Sequence, residues 1–598
     1  MSAKNSYHVA IISTSARGGS GPTWGLGVDS QIVEQILREC HSLRHMPIAT
    51  VDHIDPVSFY GSSRCPTMVD IQIHLEIPCR AAMPWARVNI VVVNPEWWPM
   101  DAWNWAIDEM DYFIFKTNHA RGLFPTLDPK KVRVMNWRAS SEIQQTMNTL
   151  AKVPPKREFL YLVGSSKNKL AAAKVISACW KITWPQLTIV GSEDVLKQLE
   201  TRPGVHLLEA FSTNAERITA QSTYAYHVVA SVAEGFGYTF AEAACVGALP
   251  LWTGIPIYDE LWKETLGHVG RIPVLVEPAT TFRDSTTVSI TPEAIEAGVQ
   301  SILRLSEEED LRCRGALKHV ATTRVKEFRT GWKTLLGSIQ SRKVEDIPSL
   351  PPRLPNVLPT VAIISLTYNR RRWWGNMARN VLKTQYPPDK LTWIIADDSD
   401  PAERVDADVI KFQSTHPQIH VKYLSFPKRL AIGDKRNKAI LAAPADCSVF
   451  VMMDDDDHYP ATSVLARVAW LAELKTECVY CSTLPMYDCG RYISAMNVPP
   501  LELSPAERIS EASLCFTRNF WQERKFPGPV NVAEGEAFIV GREQQTVEIP
   551  PEGIIVSFLH GNNATSRRVP SSTEPNGCHY GFDDEYFSYL CGLAKTLD

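Results

Sequence analysis

Apolar, β-branched runs that end in small polar residues recur along this chain of 598 residues. Two of these runs resemble each other, HVAIIST at 8–14 and TVAIISLTYN at 360–369, and each lies near the start of one half of the chain. Such runs are typical of buried parallel strands that are covered by helices on both faces. Further runs in the first half lie at 88–94, 112–117, 131–136, 158–164, 187–191, 205–210 and 226–231. Helical patterns at 167–180 and 193–200 separate some of them, so the sequence predicts βαβ units and an α/β fold.

The segment IPSLPPRLPNVLP at 347–359 divides the chain. Its prolines exclude a helix or a central strand and favour an extended spacer. A weaker break, KVPP, lies at 152–155, and a chain of this length exceeds a single hydrophobic core. The sequence predicts three parts: residues 1–345 with Rossmann-like lobes at about 1–150 and 155–335, a linker at 346–359, and an α/β domain at 360–598.

Composition excludes several classes of protein. The net charge is −4 and no block of Lys and Arg occurs, so we do not expect nucleic-acid binding. Residues 1–8 are polar and no apolar run approaches 18 residues, so neither a signal peptide nor a membrane span is expected. The 13 cysteines are scattered, which favours the reducing cytoplasm. The CxxC spacing of Cys478 and Cys481 favours buried thiols over zinc, because no second pair follows.

The run VFVMMDDDDHYP at 449–460 places four aspartates, Asp454–Asp457, at the end of a predicted buried strand. Ligands of open parallel sheets bind at the carboxyl ends of the strands. Four adjacent carboxylates repel one another, and a divalent cation relieves this repulsion because hard cations prefer oxygen ligands. The alternative is a solvated acidic turn without a ligand.

The surrounding segments favour the cation site. They are SLTYNR at 365–370, LTWIIADDSD at 391–400, RLAIGDKRNKAIL at 429–441, AEGEAF at 533–538 and SFLHGNN at 557–563. In this order they resemble the GT-A glycosyltransferases of the family-2 type, and the resemblance covers nearly all of 360–565. It implies transfer of a sugar from a nucleotide-sugar donor with the help of Mn²⁺ or Mg²⁺.

The resemblance also implies roles for individual residues. Asp454 and Asp456 correspond to the metal-binding D-x-D motif, and His560 approaches the metal or the diphosphate unless it is an unliganded loop histidine. The implied donor-binding residues are Thr367, Tyr368, Asn369, Arg370, Asp397, Asp398, Lys435, Arg436, Asn437 and Asp455.

Glycosyl transfer also needs a carboxylate that takes the proton of the acceptor hydroxyl. The family carries this base in an E-D type motif at the start of a helix, which here corresponds to 533–537. Glu536 is the first candidate and Glu534 the second. Ala537 stands where the family usually has Asp, and this departure leaves both the choice of base and the activity of this half open.

The segment SVAEGFGYTFAEAACVGALPLWTG at 231–254 carries the second motif. Glu234 and Glu242 are eight residues apart, and glycines precede the intervening helix. Glycines before a helix N-terminus allow phosphates to approach free N–H groups; the alternative is a helix cap with a solvated acid. With FLYLVGSSKNKLAAAKVI at 159–176, the segment resembles GT-B glycosyltransferases of the family-4 type, over about 1–340.

This second resemblance implies another donor site. Its residues are Gly164, Lys167, Lys169, Glu234, Gly235, Phe236, Gly237 and Glu242, with Gly18, Gly19 and His119 on the acceptor side. His119 is otherwise an ordinary loop histidine. Ser165 and Ser166 depart from the family, which often has basic residues in this lobe.

The two resemblances predict a bifunctional enzyme that adds sugars in successive steps to a glycan acceptor. The GT-A half is expected to need metal and to invert the anomeric centre, and the GT-B half to need no metal and to retain it. UDP-sugars are the expected donors, and GDP- or dTDP-sugars fit equally. One alternative is an active GT-A half with a non-catalytic, glycan-binding or scaffold GT-B-like half. A nucleotidyltransferase and a purely structural protein are further alternatives, and no glycine-rich triphosphate loop near 360 supports the former.

Overall fold

The computed structural model describes residues 7–14, 25–42, 48–56, 68–99, 101–149, 154–164, 167–278, 286–339, 352–530, 533–560, 575, 580 and 582–594. These residues form α/β layers around three larger sheets, two in the first half and one in the second. The predicted α/β fold class, with two Rossmann-like lobes followed by a further α/β unit, is confirmed. The exact domain boundaries stay predictions.

The first lobe is built on a six-stranded parallel sheet of order β2-β1-β3-β4-β5-β6. Its strands are β1 Tyr7–Ile12, β2 Ile48–Ile54, β3 Val69–Leu75, β4 Ala86–Val93, β5 Tyr112–Phe115 and β6 Val132–Val134. Its α-helices are Gly25–Ser42, Asn104–Glu109, Asn118–Gly122 and Ser141–Thr149, and its 3₁₀ turns are Arg80–Trp85 and Pro95–Trp97.

The second lobe has a six-stranded parallel sheet of order β12-β11-β10-β7-β8-β9. Its strands are β7 Lys156–Gly164, β8 Leu187–Gly191, β9 Val205–Glu209, β10 Tyr224–Val229, β11 Leu249–Thr253 and β12 Arg271–Ile272, with a hairpin of β13 Leu275–Pro278 and β14 Thr286–Ser289. Its helices are Lys167–Cys179, Glu193–Leu196, Asn214–Thr223, Tyr238–Val246, Pro256–Leu266, Pro292–Leu303 and Glu307–Ser338. The last helix returns to the first lobe, where Arg329 Nε donates to Glu39 Oε2 at 2.8 Å.

The second half contains a seven-stranded mixed sheet of order β17-β16-β15-β18-β22-β19-β23 and a three-stranded sheet of order β21-β20-β24. The strands are β15 Val361–Thr367, β16 Leu391–Asp397, β17 His420–Ser425, β18 Val449–Met452, β19 Cys478–Tyr480, β20 Leu484–Asp488, β21 Ile493–Asn497, β22 Cys515–Thr517, β23 Thr546–Glu548 and β24 Ser557–Leu559.

Seven α-helices are described in the second half, and short 3₁₀ turns link its elements. The α-helices are Trp374–Lys383, Asp406–Thr415, Ile432–Leu441, Ser463–Leu474, Arg518–Glu523, Glu534–Ile539 and Asp584–Ala594. The 3₁₀ turns are Arg371–Trp373, Pro388–Lys390, Pro401–Glu403, Glu511–Ser513 and Glu543–Gln545.

Strand β3 is a central strand that the sequence patterns did not predict. Its sequence VDIQIHL is buried throughout although three of its residues are polar. His74 accepts a hydrogen bond from the Cys79 amide and lies 3.3 Å from Asn89 Oδ1, and burial lowers its pKa to about 4. A pattern of continuous apolar residues misses such a strand because polar residues interrupt it, and internal partners hold two of them, Asp70 and His74.

The two halves share one hydrophobic core. Trp85 of the first lobe packs edge-on against Trp470 of the second half, with ring centroids 5.2 Å apart. Trp103 Nε1 donates to the carbonyl of Leu501 at 3.0 Å, and Arg80 donates to the carbonyl of Glu543. The halves are therefore packed together as well as joined by the chain.

The described end of the proline-rich segment lies against the second half. The Tyr386 hydroxyl donates to the carbonyl of Pro359 at 2.7 Å, and Lys390 Nζ donates to that of Leu358 at 2.8 Å. Among the described helices, none is long and apolar enough to cross a membrane.

We expect Trp85→Ala to destabilise the full chain by about 3–5 kcal/mol, because it removes a large buried side chain and leaves Trp470 without its edge partner. Urea unfolding followed by tryptophan fluorescence and circular dichroism would measure this loss. Trp97→Ala, at a tryptophan that is 52% exposed, is the matched control and should change stability by less than about 0.5 kcal/mol. Equal effects of the two substitutions would contradict a stabilising interface.

Candidate active site at the aspartate strand end

The aspartate run lies where three parallel strands end. Strand β15 pairs with β16 on one side and with β18 on the other. Strand β18 ends at Met452, and Asp454–Asp457 follow after one residue. The segments after β15 and β16 reach the same edge, because carboxyl ends of neighbouring parallel strands coincide.

Two asparagines of the helix Trp374–Lys383 hold the aspartate turn. Asn376 Nδ2 donates to the carbonyls of Asp455 and Asp457 at 3.0 and 2.8 Å. Asn380 Nδ2 donates to the same carbonyl of Asp457 at 2.8 Å. The Tyr586 hydroxyl in turn donates to Asn376 Oδ1 at 2.6 Å, so the turn is fixed by side chains from two helices.

Asp457 is bound within the protein. Its Oδ1 accepts hydrogen bonds from the Ser557 hydroxyl at 3.0 Å and from the Phe558 amide at 2.9 Å. The carboxylate is fully buried, so it connects the end of β18 to β24.

Arg370 and His560 enclose Asp456. Arg370 Nη1 donates to Asp455 Oδ1 at 2.9 Å and to Asp456 Oδ2 at 2.7 Å. His560 Nε2 lies 3.0 Å from the same Oδ2 of Asp456. Burial acts to lower the pKa of Arg370, but the two carboxylates raise it overall. The other oxygen of Asp455, Oδ2, is buried without a hydrogen-bond partner among the described residues.

The nearby positive charges do not fully offset the electrostatic cost of ionising all the aspartates. Burial and the neighbouring aspartates raise the pKa of Asp454 to about 7, although Arg436 opposes this. Burial and Asp456 raise the pKa of Asp455 to about 6 against the influence of Arg370. A divalent cation would relieve this electrostatic cost, and the unpartnered oxygen of Asp455 also fits a site for added positive charge.

Asp454, Asp456 and His560 are the residues that would hold such a cation. In the described part of the chain, no three His, Cys, Asp or Glu side chains converge as a ready-made metal site. Mg²⁺ in particular is usually bound by one or two carboxylates and completed by substrate phosphates. The residues present therefore fit a cation that binds together with a diphosphate.

Asp398 and Lys435 form a buried pair beside this cluster. Lys435 Nζ donates to Asp398 Oδ1 and to the carbonyl of Thr367, each at 2.5 Å. The Leu430 amide donates to Asp398 Oδ2 at 2.8 Å. Burial lowers the pKa of Lys435 despite this pairing. The contacts join the end of β15 to the helix Ile432–Leu441.

Asp397 shapes the loop after β16. It accepts hydrogen bonds from the amides of Ser399 and Val405 at 2.8 and 3.1 Å and from the Tyr423 hydroxyl at 2.8 Å. Asp397 is fully buried, so its carboxylate is engaged in holding backbone.

A partly exposed aromatic surface follows β15. The Arg429 guanidinium lies 4.3 Å from the ring centroid of Tyr368. Next to it, Asn369 has a left-handed φ of 52°, and its side chain exchanges hydrogen bonds with Asp400. Arg429 was not among the residues that the sequence predicted.

Arg436 and Asn437 point to different neighbours. Arg436 Nε donates to Glu534 Oε1 at 3.0 Å, and both side chains are buried. The Nη1 of Arg436 is buried without a hydrogen-bond partner among the described residues. Asn437 instead binds the Trp521 ring N–H at 3.0 Å and the carbonyl of Phe526 at 2.8 Å.

The two predicted base candidates have different surroundings. Glu536 is exposed, whereas Glu534 is buried against Arg436. The structure brings a third acid, Glu511, to the same helix, where its Oε1 accepts a hydrogen bond from the Gly535 amide at 3.2 Å. No motif in the sequence indicated Glu511, because it lies 23 residues before Glu534 in an unremarkable segment.

In the first half, the two motif glutamates differ in what they bind. Glu242 Oε2 accepts hydrogen bonds from Arg217 Nη1 at 2.5 Å and from Gln221 Nε2 at 2.9 Å, and it is buried. Glu234 is only partly buried. The helix between them begins after Gly237, whose φ is 81°.

An acidic cluster from the first lobe lies against the Gly235 loop. A side chain at position 235 would clash with Glu96 and Asn94. Burial raises the pKa of Glu96 to about 8, with Lys116 opposing it and the charges of Glu76 and Glu234 adding to it. The sequence did not indicate Glu96, because it comes from another lobe.

The remaining predicted residues are spread over the first half. Gly164 ends β7 with a φ of 61°, Lys169 is partly buried and Phe236 is buried. The amide of His119 donates to Glu260 Oε2 at 2.6 Å, which places this residue where the two lobes meet. The predicted residues Gly18, Gly19 and the side chain of Lys167 lie outside the described residues.

Residues 362–528 match the family model described as glycosyl transferase family 2. The match lies within the second half, and the predicted enzyme class, a glycosyltransferase, is confirmed. A search of curated proteins gave no match.

Parts of this chain are also similar to solved structures, at low sequence identity. A mannosyltransferase from Pyrobaculum calidifontis in complex with GDP-Man and Mn²⁺ is 19% identical, with a TM-score of 0.27, over 34% of this chain and 58% of its own. S. aureus TarS 1–349 in complex with UDP-GlcNAc is 12% identical, with a TM-score of 0.28, over 34% of this chain and 60% of its own. An E. coli structure described as trehalose-6-phosphate bound with UDP-2-fluoro glucose is 8% identical, with a TM-score of 0.39, over 56% of this chain and 100% of its own.

The raised pKa values of Asp454 and Asp455 predict a pH dependence of stability when no divalent cation is present. In the folded chain these carboxyls keep their protons up to a pH of about 6 or 7, whereas unfolded chains lose them near pH 4. The folded state therefore binds more protons between these limits, so this contribution to the free energy of unfolding falls as the pH rises. We expect a loss of roughly 1 kcal/mol or more, measured by urea unfolding in EDTA.

Asp454→Asn should remove much of this dependence, so that the stability difference between variant and wild type changes between about pH 4 and pH 7. Asp446→Asn, at an exposed aspartate of the same domain, should leave the dependence unchanged. A constant difference between wild type and Asp454→Asn across this range would show that the cluster is not strained.

Proposed function

We propose that the second half transfers a sugar from a nucleotide-sugar donor to a hydroxyl of a glycan acceptor, with Mn²⁺ or Mg²⁺ bound at the aspartate turn. The observation that carries this proposal is the crowding of Asp454, Asp455 and Asp456 at one strand end with too little positive charge. A cation held there would neutralise charge on the departing diphosphate. The match of 362–528 to the glycosyltransferase family supports the same chemistry.

The neighbouring residues have roles that follow from their contacts. Tyr368 and Arg429 offer a flat, cationic surface on which a nucleoside base can stack. Lys435 holds Asp398 and the end of β15 in place. The buried, unpartnered Nη1 of Arg436 is a donor available to a substrate oxygen. Uridine is the expected base, and guanosine or deoxythymidine fits equally.

The proposed reaction is a single displacement that inverts the anomeric centre. The acceptor oxygen attacks the anomeric carbon from the side opposite the diphosphate, and a carboxylate takes the hydroxyl proton. The acids around Gly535 lie on a segment separate from the aspartate turn, which supports such a division of roles.

We propose that the first half is a second transferase, metal-independent and retaining, so that the chain adds two sugars in successive steps. The pairing of two parallel-sheet lobes with Glu234, Gly235 and Gly237 at a helix start supports this. The alternative is a half that binds glycan or organises an assembly without catalysis. One observation favours that alternative, because Arg217 and Gln221 already bind the carboxylate of Glu242.

The cysteines of the described residues are free thiols, which supports the expected cytoplasmic setting.

The full chain should release nucleoside diphosphate from one or more of a panel of UDP-, GDP- and dTDP-sugars. We expect Asp456→Asn to lower the Mn²⁺-dependent release at least about 100-fold, because it weakens the binding of both Arg370 and the cation. Glu242→Gln should lower only the release that persists in EDTA. The full chain is used because the halves share a core.

Asp446→Asn is the control for Asp456→Asn and should retain full activity. Mn²⁺-dependent release that survives Asp456→Asn would refute the proposed metal site. Wild-type release that depends entirely on Mn²⁺, together with two sugar additions unaffected by Glu242→Gln, would favour the non-catalytic first half.

A further inference from the structure

The backbone of Gly535 does not explain why this position is glycine. Gly535 is the second residue of the helix Glu534–Ile539, and its φ is not among the positive values. What a side chain would meet is Glu511: an added Cβ would lie 2.7 Å from its Cγ, 2.9 Å from its Oε1 and 3.0 Å from its Cδ. The absence of a side chain at 535 therefore leaves room for the carboxylate of Glu511.

Backbone contacts connect Glu511 to the aspartate turn. Glu511 begins the 3₁₀ turn Glu511–Ser513. The Tyr459 hydroxyl accepts a hydrogen bond from the Asp454 amide at 2.8 Å and donates to the carbonyl of Ala512, the residue after Glu511, at 3.0 Å. The Met452 amide, at the end of β18, donates to the carbonyl of Leu514 at 2.9 Å. Glu511 is thus held next to the strand end that carries the aspartates.

Electrostatics place the same acid near the site. Burial acts to lower the pKa of the Arg436 guanidinium, but neighbouring carboxylates raise it overall. The contributing carboxylates are, in order, those of Glu534, Asp454 and Glu511. Arg436 therefore lies among acids from the helix, from the aspartate turn and from the 3₁₀ turn.

We propose that Glu511 is the general base of the glycosyl transfer, and that it reaches the site through the space left by Gly535. This inference rests on the function proposed for the second half. The acceptor O–H bond breaks and its proton passes to the Glu511 carboxylate, while the acceptor oxygen bonds to the anomeric carbon. The bond from that carbon to the diphosphate oxygen breaks, and its electron pair leaves with the nucleoside diphosphate.

The other two acids are less suited to this role. Glu534 is buried and bonded to Arg436, so its charge already serves to hold that guanidinium. Glu536 is exposed to solvent. For Glu511, burial and the charge of Glu534 raise the pKa, so its carboxylate takes up a proton more readily than an exposed glutamate does.

The first test is Glu511→Gln in the full chain, with the donor identified by the panel. The glutamine oxygen can still accept the Gly535 amide hydrogen bond, so the fold should persist. We expect turnover to fall by about 10²–10⁴-fold, the usual contribution of a general base. Affinity for UDP, GDP or dTDP in the presence of Mn²⁺ should change less than about twofold. Glu523→Gln, at an exposed glutamate of the same domain, should keep full turnover.

Two further variants test the role of the space at Gly535. Gly535→Ala leaves Glu511 intact but pushes its carboxylate aside, so turnover should fall while nucleotide affinity persists. The double variant Glu511→Ala with Gly535→Asp supplies a carboxylate from position 535 in the vacated space. It should regain at least about tenfold of the turnover that Glu511→Ala loses, which a purely structural role for Glu511 would not produce.

The outcomes separate the two levels of the proposal. If wild type releases no nucleoside diphosphate from any donor, the proposed function fails and this inference fails with it. If wild type is active and Glu511→Gln retains turnover within about threefold, only the inference is overturned. The same holds if Glu511→Gln loses nucleotide affinity as strongly as turnover, or if Glu534→Gln or Glu536→Gln alone abolishes turnover while keeping nucleotide affinity.

Discussion

Four adjacent carboxylates lie at the end of one buried strand and repel one another. The contacts around this strand end in the second half depend on how that repulsion is balanced. The charge of one carboxylate is stabilised within the protein, because Asp457 accepts two hydrogen bonds at the start of β24. Asp456 lies between Arg370 and His560. The charge that is left shows in the raised pKa of Asp454 and Asp455. Under the proposed function, this residual charge would favour a bound cation and would repel a diphosphate that arrived without one.

Two of the basic residues near the turn, Lys435 and Arg436, cancel only part of this charge, since each already has an acidic partner outside the turn. Lys435 is paired with Asp398 and Arg436 with Glu534, both in buried pairs. Buried pairs of this kind fix geometry more than they add stability. The helix Ile432–Leu441 is thereby held at two consecutive residues, one facing the end of β15 and the other facing the helix that begins at Glu534. The two pairs fix the position of this helix relative to β15 and to the helix Glu534–Ile539 without making the site electropositive.

The sequence predicted those parts of the site that are local. Strand ends, the aspartate run and the glycine-bearing turn are each readable within about ten residues, because strand burial and turn chemistry are local properties. The parts it missed depend on pairs distant along the chain. The Glu511 side chain fits against the helix start only because Gly535 leaves space for it, and Glu96 reaches Gly235 only because the first lobe packs there. Asn437 is a residue that the sequence predicted to bind the donor. Its side-chain amide is instead bound to Trp521 and Phe526, and a helix pattern could not reveal these contacts.

Because of the shared core, the support of the aspartate turn depends on contacts with the first half. Trp470, which packs on Trp85, belongs to the helix Ser463–Leu474. On the same helix, Arg467 Nη1 donates to the carbonyl of Met452, the last residue of β18, at 2.9 Å. One helix therefore contacts both the first lobe and the strand that presents the aspartates. Removing the first half would expose Trp470 on this helix, so a loss of activity in a truncated chain would reflect altered support for the aspartate turn as well as any missing chemistry. Point substitutions in the full chain separate these two causes, because they leave that helix packed.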